Sequence, residues 1–370
     1  KKLLGYAVKN GASDLHISVG SPPAVRIDGE IRFLPAEPLT FADMNAFLDE
    51  MMNEHQRAEY ERRGDADLAH GVPGLGRFRV NVLKQRGSTA MVLRHVKGKI
   101  LDFDSLHLPP VLEKIASMPR GLVLITGTTG SGKSTTLASL VDWINQRKRL
   151  HIVTLEDPIE YLNRNKRSVV TQREVGIDTD SWEAALKNTL RQAPDVIMIG
   201  EVRTREGMDH AIAFAETGHL VLATLHANNA NQAMDRIINF FPEDRRSQLL
   251  MDLSLNLKGV VAQQLVPTPD GKGRRVAMEI LLGTPLVQDY IRDGEIHKLK
   301  EVMKESVQLG MKTFDQSLFE LYQAGEISYD DALRHADSQD EVRLRIKLSQ
   351  GGDAKTLSQG LDGVEIAGTR

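Results

Sequence analysis

The strongest constraint on the fold of this chain is a glycine-rich segment between an apolar run and an amphipathic one. Residues 127–134 read GTTGSGKS and follow the apolar run 122–125. The apolar residues after them have the i, i+3, i+4, i+7 spacing of one helix face: Leu137, Leu140, Val141 and Ile144. A strand, a G-x-x-x-x-G-K-S loop and a helix in this order are typical of a phosphate-binding loop. The pattern therefore predicts an α/β domain that binds a nucleoside triphosphate.

Each residue type in this segment has a physical role in binding phosphate. Gly127, Gly130 and Gly132 let the backbone take positive φ and approach the phosphate oxygens, and successive N–H groups converge on the anion. Lys133 would reach the β and γ phosphates, and the Ser134 hydroxyl would ligate Mg²⁺. We assign nucleotide binding to the loop and the residue after it: Gly127, Thr128, Thr129, Gly130, Ser131, Gly132, Lys133, Ser134 and Thr135.

The composition narrows the class of protein. The 370 residues are enough for two or three domains, with an ordinary globular content of 41% hydrophobic residues. The sequence has no cysteine, which excludes disulfides and thiolate metal sites. No apolar run approaches the ~18 residues of a membrane span, and Lys1–Leu4 is too short for a signal peptide, so we expect a cytoplasmic protein. A net charge of −3 and 5% aromatic residues argue against nucleic-acid binding.

Two regions precede the phosphate-binding segment. Residues 1–97 contain short alternating segments and a hairpin-type turn sequence at Asp28-Gly29, and they predict a small α/β domain. Residues 98–119 carry three prolines. We interpret them as a linker that contains a short helix at 111–117.

From residue 120 the pattern changes to apolar strands that alternate with amphipathic helices, as in a mostly parallel sheet with both faces covered. The predicted strands are 122–126, 151–155, 169–171, 196–200 and 220–225. After about residue 230 the chain is expected to be mainly helical, so that 120–350 forms a nucleotide-binding domain with a helical C-terminal portion. The tail 351–370 has few large apolar residues and several glycines, and we expect it to be disordered.

Acidic residues follow two of the predicted strands. Glu201 stands where a carboxylate beside a phosphate loop handles Mg²⁺ or the attacking water. Glu156, Asp157 and Glu160 surround a proline after another strand. Glu160 is our candidate for the carboxylate that holds or deprotonates water, with Glu156 or Asp157 orienting the site. From the residues alone, a surface carboxylate at 201 and a solvated acidic turn at 156–160 stay open as alternatives.

Two histidines flank the predicted strand 220–225. A straight strand of this length holds His219 and His226 about 23 Å apart, and their odd spacing puts them on opposite faces. They are therefore not expected to share one metal ion. We consider a γ-phosphate-sensing or hydrogen-bonding role at the strand end for either of them, with a simple capping histidine as the alternative.

Three arginines lie on predicted strands of the N-terminal region: Arg77, Arg79 and Arg94. Arg77 and Arg79 share a face because side chains of a strand alternate with period two. Arginines in this position would neutralise phosphate charge in the transition state, as arginine fingers do. The alternative is that they are exposed strand arginines without a ligand.

Several segments together resemble the secretion ATPases of type IV pilus and type II secretion systems, over nearly the whole chain except the tail. They are 11–16, 76–81, 127–134, 156–160, 171–176, 200–203 and 216–220. Within that family the chain resembles the retraction branch, PilT and PilU. Residues 171–176 and 226–233 are more similar to PilU than to PilT.

The resemblance implies a PAS-like N-terminal α/β domain, a RecA-like phosphate-loop ATPase domain with a helical C-terminal part, and a hexameric ring. It implies that ATP and Mg²⁺ are bound and that ATP hydrolysis drives pilus retraction and twitching at the cytoplasmic face of the inner membrane. The implied partners are a PilT-type ATPase and a PilC-like platform protein of the inner membrane. Membrane association would occur only through such partners.

The resemblance also implies roles for individual residues. The family's catalytic glutamate falls on Glu160 and its Walker B glutamate falls on Glu201. Its His-box histidines fall on His219 and His226. Its nucleotide-facing arginines of the N-terminal domain correspond to the three strand arginines: Arg77, Arg79 and Arg94.

One element of PilT is only partly kept here, in residues 286–293, which read LVQDYIRD. This departure favours an accessory role beside PilT over independent retraction. Two other functions stay open: a type II secretion or pilus-extension ATPase, and a nucleotide-binding regulatory subunit with little hydrolysis of its own. The extension branch is disfavoured because its members are longer and carry a cysteine tetrad, whereas this sequence has no cysteine.

Overall fold

The computed structural model describes residues 1–27, 29–96 and 98–349. The chain divides into two compact units. The first contains residues 1–100, 158–164 and 173–180, and the second contains 101–157, 165–172 and the chain from Ser181 onward. The predicted disordered tail 351–370, Asp28 of the predicted turn and Lys97 at the predicted domain end lie outside the described residues.

The first unit is built on a six-stranded antiparallel sheet with the strand order β3-β2-β1-β6-β5-β4. Its elements are α1 (Lys2–Lys9), β1 (Asp14–Ser18), β2 (Ala24–Ile27), β3 (Glu30–Phe33), α2 (Phe41–Met51), α3 (Glu54–Arg63), β4 (Asp65–Val72), β5 (Gly76–Gln85) and β6 (Ser88–His95). Capping boxes begin both α2 and α3, where a side chain and a backbone N–H satisfy each other.

Strand β5 shows how the sequence orients this sheet. Phe78 and Val80 are each 1% exposed in the core, and the alternate positions Arg77 and Arg79 are only half-buried. Arg79 is paired with Arg94 of β6 in the antiparallel register. The two arginines therefore lie next to each other on the outer face of the sheet.

The second unit contains a seven-stranded sheet with the order β13-β12-β7-β11-β10-β8-β9. Its strands are β7 (Gly121–Thr126), β8 (His151–Glu156), β9 (Val169–Glu174), β10 (Val196–Ile199), β11 (Leu220–Leu225), β12 (Leu257–Pro267) and β13 (Arg274–Leu282). Neighbouring strands from β12 to β8 are parallel, and β13 pairs antiparallel with β12. The last two residues of β9 belong to the first unit.

Helices surround this sheet. They are α4 (Val111–Ser117), α5 (Lys133–Arg147), α6 (Trp182–Thr189), α7 (Arg205–Glu216), α8 (Ala230–Phe240), α9 (Arg246–Asn256), α10 (Pro285–Arg292), α11 (Leu299–Glu305), α12 (Phe314–Gln323), α13 (Tyr329–Arg334) and α14 (Gln339–Ser349). Short 3₁₀ turns lie at Leu190–Gln192, Glu243–Arg245, Ile296–Lys298 and Val307–Leu309. Within the described residues, no helix combines the length and the apolar content that crossing a bilayer requires.

The strand that leads into the phosphate loop is buried from both sides. Leu122 and Leu124 belong to one hydrophobic cluster, with residues of α7, α8 and α9. Val123 and Ile125 belong to another, with residues of α4 and α5. The predicted sheet with two covered faces is confirmed, and β7 is an interior strand of it, between β12 and β11.

Three sequence predictions differ from the structure. The chain after residue 230 is not mainly helical throughout, because β12 and β13 extend the sheet beside β7. Strand β4 was not predicted, because small and polar residues obscure its alternation. Leu101 and the residues after it pack in the second unit, where Phe103 and Leu112 join the core, so most of the predicted linker 98–119 belongs to that unit. The predicted short helix at 111–117 is confirmed as α4.

Candidate functional site

The glycines of the phosphate loop have the backbone conformations that the motif predicts. Gly127, Gly130 and Gly132 have φ values of +146°, +80° and +92°, a region that favours glycine. Helix α5 begins directly after Gly132 and has 15 residues. Its unpaired N–H groups and positive dipole end therefore face the loop, which fits a phosphate group.

A buried glutamine holds the loop from below. Gln263 of β12 is 2% exposed, and its Nε2 donates a hydrogen bond of 2.7 Å to the carbonyl oxygen of Ser131. A Cβ on Gly127 would lie 2.4 Å from the Gln263 carbonyl oxygen and from Ser131 Oγ. The loop thus packs so closely on β12 that a side chain at position 127 is excluded. Sequence reasoning missed Gln263 because β12 was not predicted.

Lys133 lies over the start of the loop. Its Nζ donates hydrogen bonds of 2.9 and 2.8 Å to the carbonyl oxygens of Gly127 and Thr128. In the described part of the chain, three buried polar atoms of the loop and of the strands before and beside it have no hydrogen-bond partner: Thr126 Oγ1, Ser131 Oγ and Gln263 Oε1. A lysine ammonium and a helix N-terminus at a polar loop match the charge and the acceptor oxygens of a phosphate chain.

Ser134 is the only loop residue for which we predict metal binding. It stands in the first turn of α5, and its hydroxyl is a hard oxygen ligand of the kind that Mg²⁺ takes. Among the described residues, no group of three or more histidine, aspartate or glutamate side chains is arranged to hold a metal ion. The Ser134 hydroxyl at the start of α5 fits a Mg²⁺ ion that is shared with nucleotide phosphates, the usual mode for this cation.

Both oxygens of the Glu201 carboxylate are engaged. Oε2 accepts a 2.8 Å hydrogen bond from Arg203 Nε and lies 2.6 Å from Arg203 Nη2, and Oε1 lies 3.1 Å from His226 Nε2. The Glu201 side chain is 18% exposed. The hydrogen bond to Glu201 raises the pKa of Arg203 above its usual value, so the guanidinium stays charged. The structure brings Glu201 and His226 together, as neither spacing nor periodicity predicted.

The parallel register explains why Glu201, His226 and the phosphate loop all lie at the carboxyl ends of the strands. Strands β7, β11 and β10 are parallel neighbours, and the loop, His226 and Glu201 follow their carboxyl ends, where ligands of such sheets bind. Gly200 lies close to β8 at these strand ends, since a Cβ there would lie 3.2 Å from the Leu155 carbonyl oxygen.

His219 directly precedes β11 and lies at the amino ends of the parallel strands, opposite to the phosphate loop. Its carbonyl oxygen accepts a hydrogen bond from Gly121 N, at the start of β7. Its Nδ1 lies 3.0 Å from the Phe214 carbonyl oxygen and 3.1 Å from Thr217 Oγ1. Since β11 separates it from His226, His219 does not meet the phosphate loop of its own chain. The contacts fit the alternative of a capping histidine, and a phosphate-sensing role for His219 within one chain has no support in this geometry.

Glu156 serves the interior of the second unit. Its side chain is 7% exposed, and Oε1 accepts hydrogen bonds from Thr154 Oγ1 at 2.7 Å and Gln172 Nε2 at 3.0 Å. These bonds join the ends of β8 and β9. These contacts give Glu156 a structural role between the two strands.

Glu160 and two of the predicted arginines line one cavity of the first unit. The cavity has a volume of about 250 Å³ and is lined by Arg79, Arg94, His95, Val96, Ile159, Glu160 and Tyr161. In the described part of the chain, neither Arg79 nor Glu160 makes a side-chain hydrogen bond or ion pair. An acid and a base that face one cavity without a protein partner are available to a ligand.

Arg94 and Arg77 have carboxylate partners within the first unit. Arg94 Nε donates a 2.7 Å hydrogen bond to Asp14 Oδ1. Burial opposes ionisation of Asp14, but the hydrogen bond from Arg94 outweighs it together with other favourable contacts and lowers the Asp14 pKa. Arg77 Nη2 donates a 3.1 Å hydrogen bond to Glu174 Oε2, and Arg77 does not line the cavity. The three arginines thus differ in their surroundings.

A strand, a glycine-rich loop, a helix and a carboxylate at the end of the next strand but one in the sheet define a phosphate-loop nucleoside triphosphatase. The family described as "Type II/IV secretion system protein" matches residues 1–320. The chain is 54% identical to "Type IV pilus ATPase PilU" of Pseudomonas aeruginosa, over 99% of this chain and 96% of that protein. It is 40% identical to "Type IV pilus retractation ATPase PilT" of the same organism, over 90% of this chain and 97% of that protein.

A solved structure agrees with these sequence matches. The crystal structure of the pilus retraction motor PilT with bound ADP has a TM-score of 0.85 to this chain at 42% identity, and covers 92% of this chain and 97% of that one. The chain belongs to the PilT/PilU family of type II/IV secretion ATPases. Its fold is the RecA-like α/β fold of these secretion ATPases, and it is a nucleotide-binding ATPase.

Proposed function

We propose that this chain is a motor subunit that couples ATP hydrolysis to retraction of a type IV pilus. The observation that carries the proposal is that the phosphate loop and Glu201 both follow the carboxyl ends of parallel strands. The chain is also 54% identical to a pilus ATPase over nearly its whole length. Lys133 and the loop N–H groups would bind the β and γ phosphates. Mg²⁺, held by Ser134, would neutralise charge on the phosphate oxygens.

The carboxylates divide the chemical work in this proposal. Glu160 would hold and deprotonate the attacking water, since its side chain has no protein partner among the described residues. Glu201 would act beside the phosphate loop, with its orientation fixed by Arg203 and His226. Arg79, and Arg94 beside it in the β-sheet register, would compensate phosphate charge.

The proposed setting is a homohexameric ring at the cytoplasmic face of the inner membrane. Similarity to PilT and PilU supports this setting, and a PilC-like platform protein would receive the motion. A PilT-type ATPase is a proposed partner because α10, which spans most of the partly kept segment 286–293, differs from PilT in sequence. No nucleic acid is expected to take part.

Steady-state ATPase activity of the purified chain tests the proposed reaction. We expect Lys133→Ala and Glu201→Gln each to lower kcat at least ~100-fold without loss of the fold, because each removes a group that acts on the phosphates. Matched controls are Lys114→Ala and Glu206→Gln, which alter exposed residues of α4 and α7. Glu201→Gln that hydrolyses ATP at the parental rate contradicts its assignment.

A deletion strain separates the motor from the regulatory alternative. Loss of a retraction motor should leave cells with more pili and without twitching, whereas loss of an extension motor should remove pili. Complementation with Lys133→Ala should fail if hydrolysis drives the function. Rescue by this variant favours the nucleotide-binding regulatory subunit, which the sequence of 286–293 keeps as the second candidate.

A further inference from the structure

A buried carboxylate of the first unit lies directly behind the proposed catalytic glutamate. Glu174, the last residue of β9, is 3% exposed. Its Oε2 accepts hydrogen bonds from Arg77 Nη2 at 3.1 Å and from the backbone N–H of Ile159 at 3.3 Å. One carboxylate oxygen therefore joins β5 to the backbone N–H of the residue before Glu160.

The Ile159 peptide is fixed at two points. Its N–H is held by Glu174, and its side chain is 1% exposed in the protein interior. Because Glu160 follows on the same backbone, these anchors limit the directions that its side chain can take. That side chain lines the cavity it shares with Arg79. These anchors thus hold the backbone position from which the proposed base reaches the cavity.

A short loop after β9 keeps Glu174 itself in place. The backbone N–H of Glu174 donates a 2.9 Å hydrogen bond to Asp178 Oδ2. The carbonyl oxygen of Asp178 accepts a 2.9 Å hydrogen bond from Arg173 Nη2. Asp178 also lies 3.9 Å from Arg77. The Arg77 guanidinium thus lies near two carboxylates, that of Glu174 at the end of β9 and that of Asp178 in the loop after it.

Charge balance explains why the Arg77 side chain pairs with Glu174. A buried carboxylate without a counter-charge is costly, and removing one partner of a buried pair leaves the other uncompensated. The Arg77 side chain is 24% exposed against 4% for Glu174, and Arg77 Nε is buried. Arg79, two residues along on the same face of β5, has no such partner in the described residues.

We propose that Arg77 and Glu174 are positioning residues that hold Glu160 in its working orientation, and that Arg77 is not a phosphate ligand. This inference rests on the proposed role of Glu160 in hydrolysis. It reassigns one of the three predicted nucleotide-facing arginines. Arg79 and Arg94 keep that proposed role, since both line the cavity of Glu160.

The test compares Glu174→Gln and Arg77→Gln with Arg79→Gln in the full-length chain. A displaced general base lowers turnover but not nucleotide affinity, so both positioning variants should lower kcat about 10- to 100-fold and leave the KM for ATP and the Kd for ADP within about twofold. Arg79→Gln should weaken nucleotide binding as well. Arg77→Lys should recover part of kcat because it keeps the charge but not the planar geometry.

A second arm uses the Glu160→Gln background. If Arg77 and Glu174 act only through Glu160, adding either substitution to Glu160→Gln should lower kcat no further. The double variant Arg77→Gln/Glu174→Gln removes both charges together and serves where a single variant unfolds. Thermal unfolding of each variant identifies such cases, and the double variant should still show low kcat with unchanged KM.

Three results overturn the inference. One is a rise in the KM for ATP or the Kd for ADP in Arg77→Gln that matches Arg79→Gln while Glu174→Gln keeps parental activity. Another is a further loss of kcat in the Glu160→Gln background. The third is full activity of Glu174→Gln in a chain where Glu160→Gln is inactive, which leaves the proposed function intact. A wild-type chain without ATPase activity overturns the proposed function and this inference together.

Discussion

At the scale of single residues, Glu279 of β13 is a carboxyl group in the core of the second unit. It is 1% exposed, and its Oε1 accepts a 2.8 Å hydrogen bond from Ala230 N, at the first residue of α8. Burial raises the pKa of Glu279 from 4.5 to about 7. The Ala230 N–H and Lys300 oppose the shift, and Asp337 adds to it. Helix α8 therefore begins on a carboxyl group that titrates near neutral pH.

Glu279→Gln should stabilise the protein above neutral pH. The folded pKa lies above the unfolded one, so the stability from this group is complete below pH 4.5 and is lost as pH rises through about 7. Glutamine mimics the protonated form, and the variant should gain about 3 kcal/mol of unfolding free energy at pH 8 but only about 1 kcal/mol at pH 5. Denaturant unfolding at both pH values measures this, with Glu243→Gln on the surface as control. An equal gain at both pH values contradicts the prediction.

At the scale of elements, the local parts of the site could be predicted and the long-range parts could not. The loop 127–134 can be recognised from the sequence because its strand, its glycines and its helix are adjacent in the chain. Strand β12 is buried on both faces, so it has no polar alternation, and it pairs with β7 only through the fold. The contact between Gln263 and Ser131 spans 132 residues, and no spacing rule reports it. The same is true of the bond between Arg77 and Glu174.

Gln263→Leu should loosen the phosphate loop. It removes the hydrogen bond to the Ser131 carbonyl oxygen and leaves a buried acceptor unpaired, which costs about 1–3 kcal/mol. If the bond orders the loop for nucleotide, ADP affinity should fall about 5- to 100-fold. Titration with a fluorescent nucleotide measures the change. Gln264→Leu is the matched control, because that side chain bonds His335. Equal affinities of both variants refute a role for Gln263.

At the scale of the whole molecule, the family match covers residues 1–320, and the chain continues in an ordered structure beyond it. Helices α13 and α14 follow this match. Val342 and Ile346 of α14 pack in a cluster with Phe314 and with Ala262 of β12. These helices thus complete the core at the β12 side of the sheet. The comparison with the PilT crystal structure extends over 92% of the chain. The ring assembly proposed above is therefore tested on the whole chain.

Mixing active and inactive subunits should reveal the proposed ring assembly. In a closed assembly with coupled sites, one dead subunit affects its neighbours. We expect wild type mixed with Lys133→Ala, at constant total concentration, to lose ATPase activity faster than in proportion to the added variant. The control replaces this variant with Lys114→Ala, which should cause no loss. A strictly linear decline contradicts coupled sites, and a mass that corresponds to one chain contradicts the ring.

The burial of β7 from both sides constrains how this sequence can change. Its alternate side chains enter two separate cores, and its last residue leads into the phosphate loop. A substitution that shifts β7 from either face therefore moves the same loop, although the side chains on the two faces never touch. Mutational tolerance on one face should depend on what occupies the other. The effects of substitutions in the two cores are thus coupled through the position of a single strand.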